Sequence, residues 1–267
     1  MTAQVVTISS GKGGVGKTTA VANIAVALAT DGAKVVCIDG DIGLRNLDVV
    51  MGLENRIVYD IVDVIEGRCK LRQAMIRDKH LPELYLIPAA QTRDKNSVSP
   101  SDMKRICEEL RASTDFVLID SPAGIERGFR NAIAPADRVL VITNPEVSAV
   151  RDADRVIGIL EAEEKHSPAL VINRLNPDLV KQHDMLSAED VLDLLGIQLI
   201  GIVPEDEAVI VGSNRGVPVS QDPKSRAGQA FRNIALRLKG QEVPFMDVVG
   251  KQSGLWDRIQ KMTGRRA

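Results

Sequence analysis

Short apolar runs rich in β-branched residues recur along the chain. Each is followed by a longer stretch with apolar residues at helical spacing. The runs are 4–9 (QVVTIS), 34–39 (KVVCID), 84–88 (LYLIP), 115–120 (DFVLID), 138–143 (RVLVIT), 169–173 (ALVIN) and 199–204 (LIGIVP). Their apolar residues are consecutive rather than alternating, as in strands buried on both faces. Helices are predicted from Lys17 to a stop at Gly32, and near 58–66, 101–112, 126–133, 148–164, 186–195 and 225–239. Strands alternating with helices predict an α/β fold, with a mainly parallel sheet covered by helices on both faces. Residues 1–240 read as one domain, 241–253 as a linker, and 254–267 as a short separate segment.

Composition narrows the picture. Hydrophobic residues make up 44% and charged residues 26%, the balance of a globular domain. With 34 Lys and Arg against 36 Asp and Glu, the net charge of −2 offers no overall attraction to nucleic acid. Cys37, Cys69 and Cys107 are widely spaced, which argues against disulfides, zinc and iron–sulfur clusters, and points to a reducing cytosol. The first residues show neither a basic nor an apolar secretion region, and no run reaches the length of a membrane span.

The chemistry lies after the first strand. Gly11 to Thr18 (GKGGVGKT) fits the phosphate-binding loop pattern, between a predicted strand and a predicted helix. Glycines at 11, 13, 14 and 16, with Val15 between, let backbone N–H groups turn toward phosphate oxygens. Lys17 would bridge the terminal phosphates, Thr18 would ligate Mg²⁺ directly, and Thr19 would bond the α-phosphate. The fold is therefore expected to be that of a P-loop NTPase. In such sheets the ligand sits at the carboxyl ends of the strands. Two further predicted strands end there in DGDIGLRNLD and DSPAGIE. Asp39 and Asp120 are placed to hold Mg²⁺ through water, and Asp41 to orient the attacking water.

These motifs resemble the MinD/ParA family of deviant Walker A ATPases. The resemblance is carried by KGGVGKTT, DGDIGLRNLD, DSPAGIE, NPEVSAVRDADR (144–155) and PEDEAVIVGSNRGVPV (204–219), and runs from Gln4 to the end of the chain. It implies an Mg²⁺-dependent ATPase that forms a homodimer around ATP. It implies that Lys12 reaches across that dimer to the partner's phosphates, and that Asn46 belongs to the same closed active site. It also implies that a surface including Arg151, Asp152 and Asp154 binds the division inhibitor MinC, and MinE or another topological regulator. The expected task is septum placement from a bacterial cytoplasm, by reversible attachment to the inner face of the membrane. A ParA-like or flagellar-number-type positioning ATPase shares the loop and the dimer. An iron–sulfur reductase shares the fold but needs paired interface cysteines. A non-enzymatic scaffold would lack Lys17, Asp41 or Asp120.

Two more expectations come from the residues. A guanine-selective site presents N-K-x-D, but here the sequence after Asn173 places Asn176 where the aspartate would stand. An amide cannot accept both guanine hydrogens, so the base is read as adenine, facing Asn173 and the backbone of Pro204, Glu205 and Asp206. At the end of the chain, Leu255, Trp256, Ile259 and Met262 fall on one face of a helix, with Arg258 and Lys261 opposite. Lys251, Arg258, Lys261, Arg265 and Arg266 outnumber the lone Asp257. A basic face with a tryptophan at the apolar edge predicts an interfacial helix on anionic lipid.

Overall fold

A computed structural model describes residues 3–94, 97–165 and 167–248. The predicted C-terminal amphipathic helix, and with it Leu255, Trp256, Arg258, Ile259, Lys261 and Met262, lies outside the described residues.

In chain order the elements begin with β1 (Gln4–Ser9), α1 (Lys17–Thr30), β2 (Val35–Asp39), α2 (Leu47–Val50), α3 (Ile61–Ile65) and α4 (Leu71–Ala74). They continue with β3 (Ile76–Arg77), β4 (Leu84–Ile87), α5 (Pro100–Arg111), β5 (Phe116–Asp120), α6 (Arg127–Ile133) and β6 (Arg138–Thr143). The last are α7 (Val147–Ala162), β7 (Ala169–Leu175), α8 (Pro177–Lys181), α9 (Ala188–Leu195), β8 (Gln198–Pro204), α10 (Glu207–Arg215) and α11 (Arg226–Leu238). One sheet runs in the order β3-β4-β2-β5-β1-β6-β7-β8. Every pairing is parallel except β3 with β4.

All seven predicted strands are present, and their continuous apolar runs are buried as that pattern requires. Apolar clusters line both faces of the sheet. One is built on α1 and α11, and the opposite face carries those built on α6, α7 and α9, and on α3 and α5. Cys37 and Cys107 are buried in this core. Parallel strands bring every carboxyl end to one side, and β1 sits between β5 and β6, so the loop after β1 occupies the middle of that side.

The departures from expectation are short elements. The antiparallel edge strand β3 and the short helices α2, α4 and α8 are too brief for a periodic signal, and the nine-residue α10 buries only Gly212 and so carries no apolar stripe. Local capping makes several of them. The Asn176 side chain accepts from the Asp178 and Leu179 amides at the start of α8, and the Asp206 side chain from the Ala208 amide at the start of α10. Residues 241–248, read from the sequence as linker, instead lie against the body: Val248 is buried, and Phe245 and Met246 pack on the core.

Candidate functional site

The loop between β1 and α1 is shaped by what surrounds it. A Cβ at Gly11 would stand 2.2 Å from the Asp152 carbonyl oxygen, so only glycine lets the loop lie against α7. Gly16 caps α1 with φ 99°, and a Cβ there would meet the Asn173 amide nitrogen at 2.4 Å. Asn173 Nδ2 donates to the Val15 carbonyl at 2.7 Å. Its side chain is therefore buried beneath the loop and spends one N–H there. The second Nδ2 hydrogen and the Oδ1 acceptor are not used by that bond.

The two lysines are held apart. Lys17 is buried, and its Nζ donates to Ser10 Oγ at 2.8 Å, while Ser10 Oγ donates to the Lys12 carbonyl at 2.8 Å. Lys12 points away, with Nζ donating to Ser148 Oγ at 3.2 Å and lying 3.5 Å from a Glu146 carboxylate oxygen. The Lys12 and Glu146 side chains are about half exposed. Such a pair is worth roughly 1 kcal/mol or less, so Lys12 is only lightly tethered. Ser10, Ser148 and Glu146 were not singled out from the sequence. Ser148 is 136 residues from Lys12, and no local pattern joins them.

Asp39 and Asp120 end adjacent strands and stand directly opposite one another in register. Both are buried. Asp39 accepts from the amides of Asp41 (3.0 Å), Asn46 (3.2 Å) and Leu47 (3.2 Å), which fixes the loop carrying Asp41 and starts α2. Asn46 thus joins the site through its backbone. In the same loop Arg45 has φ 38° and pairs through Nε with fully buried Asp48 at 2.9 Å. That ion pair holds a strained residue between Asp41 and the amides that Asp39 grips.

Burial pushes the Asp120 carboxyl up to about 8. The nearby Asp39 charge adds to this, and the Thr18 hydroxyl and Lys17 oppose it. Burial likewise raises Asp39 to about 6 against the pull of its three amides. Lys17 is lowered by burial, with Asp120 and Asp41 opposing. Asp120 Oδ1 is buried without a hydrogen-bond partner. Two buried carboxylates and an orphaned oxygen, with Thr18 bonded to one of them, suit a hydrated divalent cation. The same pair predicts a pH effect. Unfolded, these carboxyls titrate near 3.8; folded, they hold their protons to about 6 and 8. The stability they contribute is complete below pH 4 and is lost as pH rises through those values. Thermal melts without metal or nucleotide are expected to fall by several degrees from pH 5 to 8.5, and Asp120→Asn to flatten the slope. An unchanged slope in that variant counts against the assignment.

The remaining expected residues lie at the ends of β7 and β8. The Glu205 amide donates to the Leu175 carbonyl at 3.0 Å, and the Glu205 carboxylate accepts from Asn176 Nδ2 at 2.8 Å. Asp206 accepts from the Ala208 amide (2.9 Å), Ser225 Oγ (2.8 Å) and the Ala227 amide (3.2 Å). Burial raises its carboxyl, but these hydrogen bonds outweigh burial and leave it below the usual range. The Glu205 and Asp206 side chains are thus engaged by the protein, and the backbone following Pro204 is what remains for a ligand. On α7, Arg151 and Asp154 are exposed, while Asp152 is half-buried with its backbone against Gly11.

Fold and loop together define a phosphate-binding P-loop protein with a parallel sheet. A sequence profile of the CobQ/CobB/MinD/ParA nucleotide binding domain matches residues 6–219. The septum site-determining protein MinD of Bacillus subtilis is 51% identical over 266 residues, 99% of each chain. The MinC:MinD cell division protein complex of Aquifex aeolicus contains a chain 48% identical, with a TM-score of 0.86, covering 91% of this chain and 99% of that one. MinD of Pyrococcus horikoshii, complexed with Mg-ADP, is 29% identical with a TM-score of 0.80, covering 88% and 96%. The chain belongs to the MinD septum site-determining proteins within that nucleotide-binding family.

Proposed function

We infer that this chain is an Mg²⁺-dependent cell-division ATPase that dimerises around ATP, attaches to anionic membrane in that state and carries MinC with it. The observation that supports this best is the disposition of the two lysines. Lys17 already lies across its own phosphate loop through Ser10. Lys12 lies outside that position, half-exposed and weakly held by Ser148 and Glu146. A cation so placed is free to serve the nucleotide of a second copy.

The loop amides of Gly11, Gly13, Gly14, Val15 and Gly16 bind the phosphates, with Lys17 bridging the terminal ones and Thr19 reaching the α-phosphate. Thr18 would hold Mg²⁺ directly, and Asp39 and Asp120 would hold it through water. When bound, the ion neutralises phosphate charge. Adenine rests against the backbone of Pro204, Glu205 and Asp206. Asp41 orients the attacking water. Lys12 of each protomer abandons Ser148 and Glu146 for the partner's phosphates, and Asn46 closes over the same site. Hydrolysis removes the γ-phosphates, each of which the partner's Lys12 would hold, and the dimer separates.

Light scattering tests this: a dimer is expected with ATP and Mg²⁺, and a monomer with ADP. Equal dimer content in both nucleotides would overturn the proposal.

The exposed face of α7, with Arg151 and Asp154 and the adjoining Asp152, is proposed as the surface for MinC and for MinE or another topological regulator. Its position beside Gly11 and Lys12 puts a bound partner next to the phosphate loop. Attachment is assigned to the C-terminal segment, because its sequence puts Leu255, Trp256, Ile259 and Met262 on one helical face with Arg258 and Lys261 opposite; among the described residues no helix is long and apolar enough to cross a membrane.

A further inference from the structure

Two arginines of α11 hold residues 243–247. In the last turn, Arg237 donates to the carbonyls of Val243 (3.0 Å), Pro244 (2.9 Å) and Ile200 (2.9 Å). Its guanidinium lies 4.0 Å above the Phe245 ring. In the first turn, Arg226 donates to the Asp247 carbonyl at 2.8 Å. At 1.5 Å per residue these arginines are about 16 Å apart along the helix. An extended segment from 243 to 247 covers about 13 Å at ~3.3 Å per residue. The chain therefore turns after α11 and runs back along it, from its last turn to its first, and Val248 is buried at the end of that path.

Arg237 reaches Ile200, near the start of β8, at the end of the sheet away from the phosphate loop. Arg226 follows Ser225, whose hydroxyl bonds Asp206 just beyond the carboxyl end of β8. So residues 241–248 carry the chain from the far end of the sheet back to the nucleotide end before residue 249 begins. A guanidinium drawn partly out of water is costly unless its donors are satisfied, and half-buried Arg237 spends its donors on this segment and on β8.

We propose that residues 241–248 are a strap, clamped by Arg237, Phe245 and Arg226, that positions the root of the C-terminal segment for bivalent membrane attachment. This rests on the reading that the segment binds membrane and that two copies join through their nucleotide ends. Roots delivered to that end lie near the shared face, so both segments can reach one surface together. Effective concentration falls steeply with the distance a tether must span. A root left at the far end of the sheet would lose much of the gain from pairing.

The test uses the full-length chain. In one variant, 241–248 is replaced by a Gly/Ser segment of equal length; in others Arg237 becomes Ala or Lys. Each is measured for ATP-dependent dimerisation by light scattering, and for co-sedimentation with phosphatidylcholine vesicles containing phosphatidylglycerol. The Gly/Ser and Arg237→Ala proteins are expected to dimerise as the parent does but to bind vesicles at least tenfold more weakly. Arg237→Lys should fall between. The Gly/Ser variant leaves α11 intact, so it decides the matter if Arg237→Ala does not fold. If it dimerises and binds vesicles as tightly as the parent, the strap has no positioning role, while the membrane reading stands. If Trp256→Glu, measured alongside, still binds vesicles like the parent, the membrane reading falls and the strap proposal falls with it.

Discussion

Replacing Lys12 with alanine is expected to lower ATP turnover by roughly 10³–10⁵-fold, the range for a cation supplied across an interface to a P-loop site, while nucleotide affinity changes little. The asymmetry follows from position. Lys17 is buried inside the loop, bonded to Ser10 of its own chain. The Lys12 amine lies beside Ser148 and Glu146, outside that cradle. Ground-state binding by one chain therefore does not use it, whereas charge developing at the shared site does. Asp41→Ala should separate the steps in the opposite sense, binding ATP and forming a dimer that persists because hydrolysis is slow. Pairing Ser148→Ala with Glu146→Gln should shift dimerisation to lower ATP concentration by no more than a few-fold, since the tether is an exposed pair. Single-turnover hydrolysis and equilibrium nucleotide titration, run on the same preparations, check the set. A Lys12→Ala protein that binds ATP and turns it over at the parent rate would show that the second lysine is an ordinary solvated side chain.

Removing the chain from Gly254 onward, or changing Trp256 to Glu, is expected to abolish ATP-dependent binding to anionic vesicles and leave ATP binding intact. Half-burying Leu255, Trp256, Ile259 and Met262 gains roughly 4–8 kcal/mol. Ordering about ten residues costs a similar amount. Anionic lipid adds about 1 kcal/mol for each basic residue near the surface. One segment is thus marginal, and two on a dimer gain about 10²–10⁴ in avidity. Binding should accordingly follow dimerisation, appear with ATP and vanish with ADP. Asp154→Ala should still reach the vesicles but recruit less MinC to them, because its side chain is on the exposed face of α7 rather than in the nucleotide site. Vesicle binding by the truncated protein would place the membrane site elsewhere. MinC recruitment undiminished by combined Asp152 and Asp154 substitutions would remove α7 as the partner surface.

Strands and long helices were legible because their signals are local. Continuous apolar runs require burial on both faces, and α1, α5, α7 and α11 are long enough to show a helical period. Short elements were not, because α2, α4 and α8 offer little more than a turn and depend on caps or on neighbours, and α10 is longer but buries only Gly212. The turns just after α2 and α10 meet backbone to backbone. A Cβ at Gly52 would meet the Gly216 carbonyl oxygen at 2.8 Å, a closeness that neither segment announces alone.

By itself the sequence determined the class of chemistry. Gly11 to Thr19 can turn backbone N–H groups toward phosphate, and Asp39, Asp41 and Asp120 follow strands that must end on the same side as that loop. Those are properties of spacing and side-chain type, which survive without coordinates. Only the tertiary structure decided which groups those residues answer to. It set Asp39 opposite Asp120, put Asn173 beneath Val15, brought Ser148 and Glu146 to Lys12, and folded 241–248 back along α11. Each of these joins residues far apart in the chain or on different elements. A contact of that kind exists only after the sheet order and helix packing have brought its two ends together.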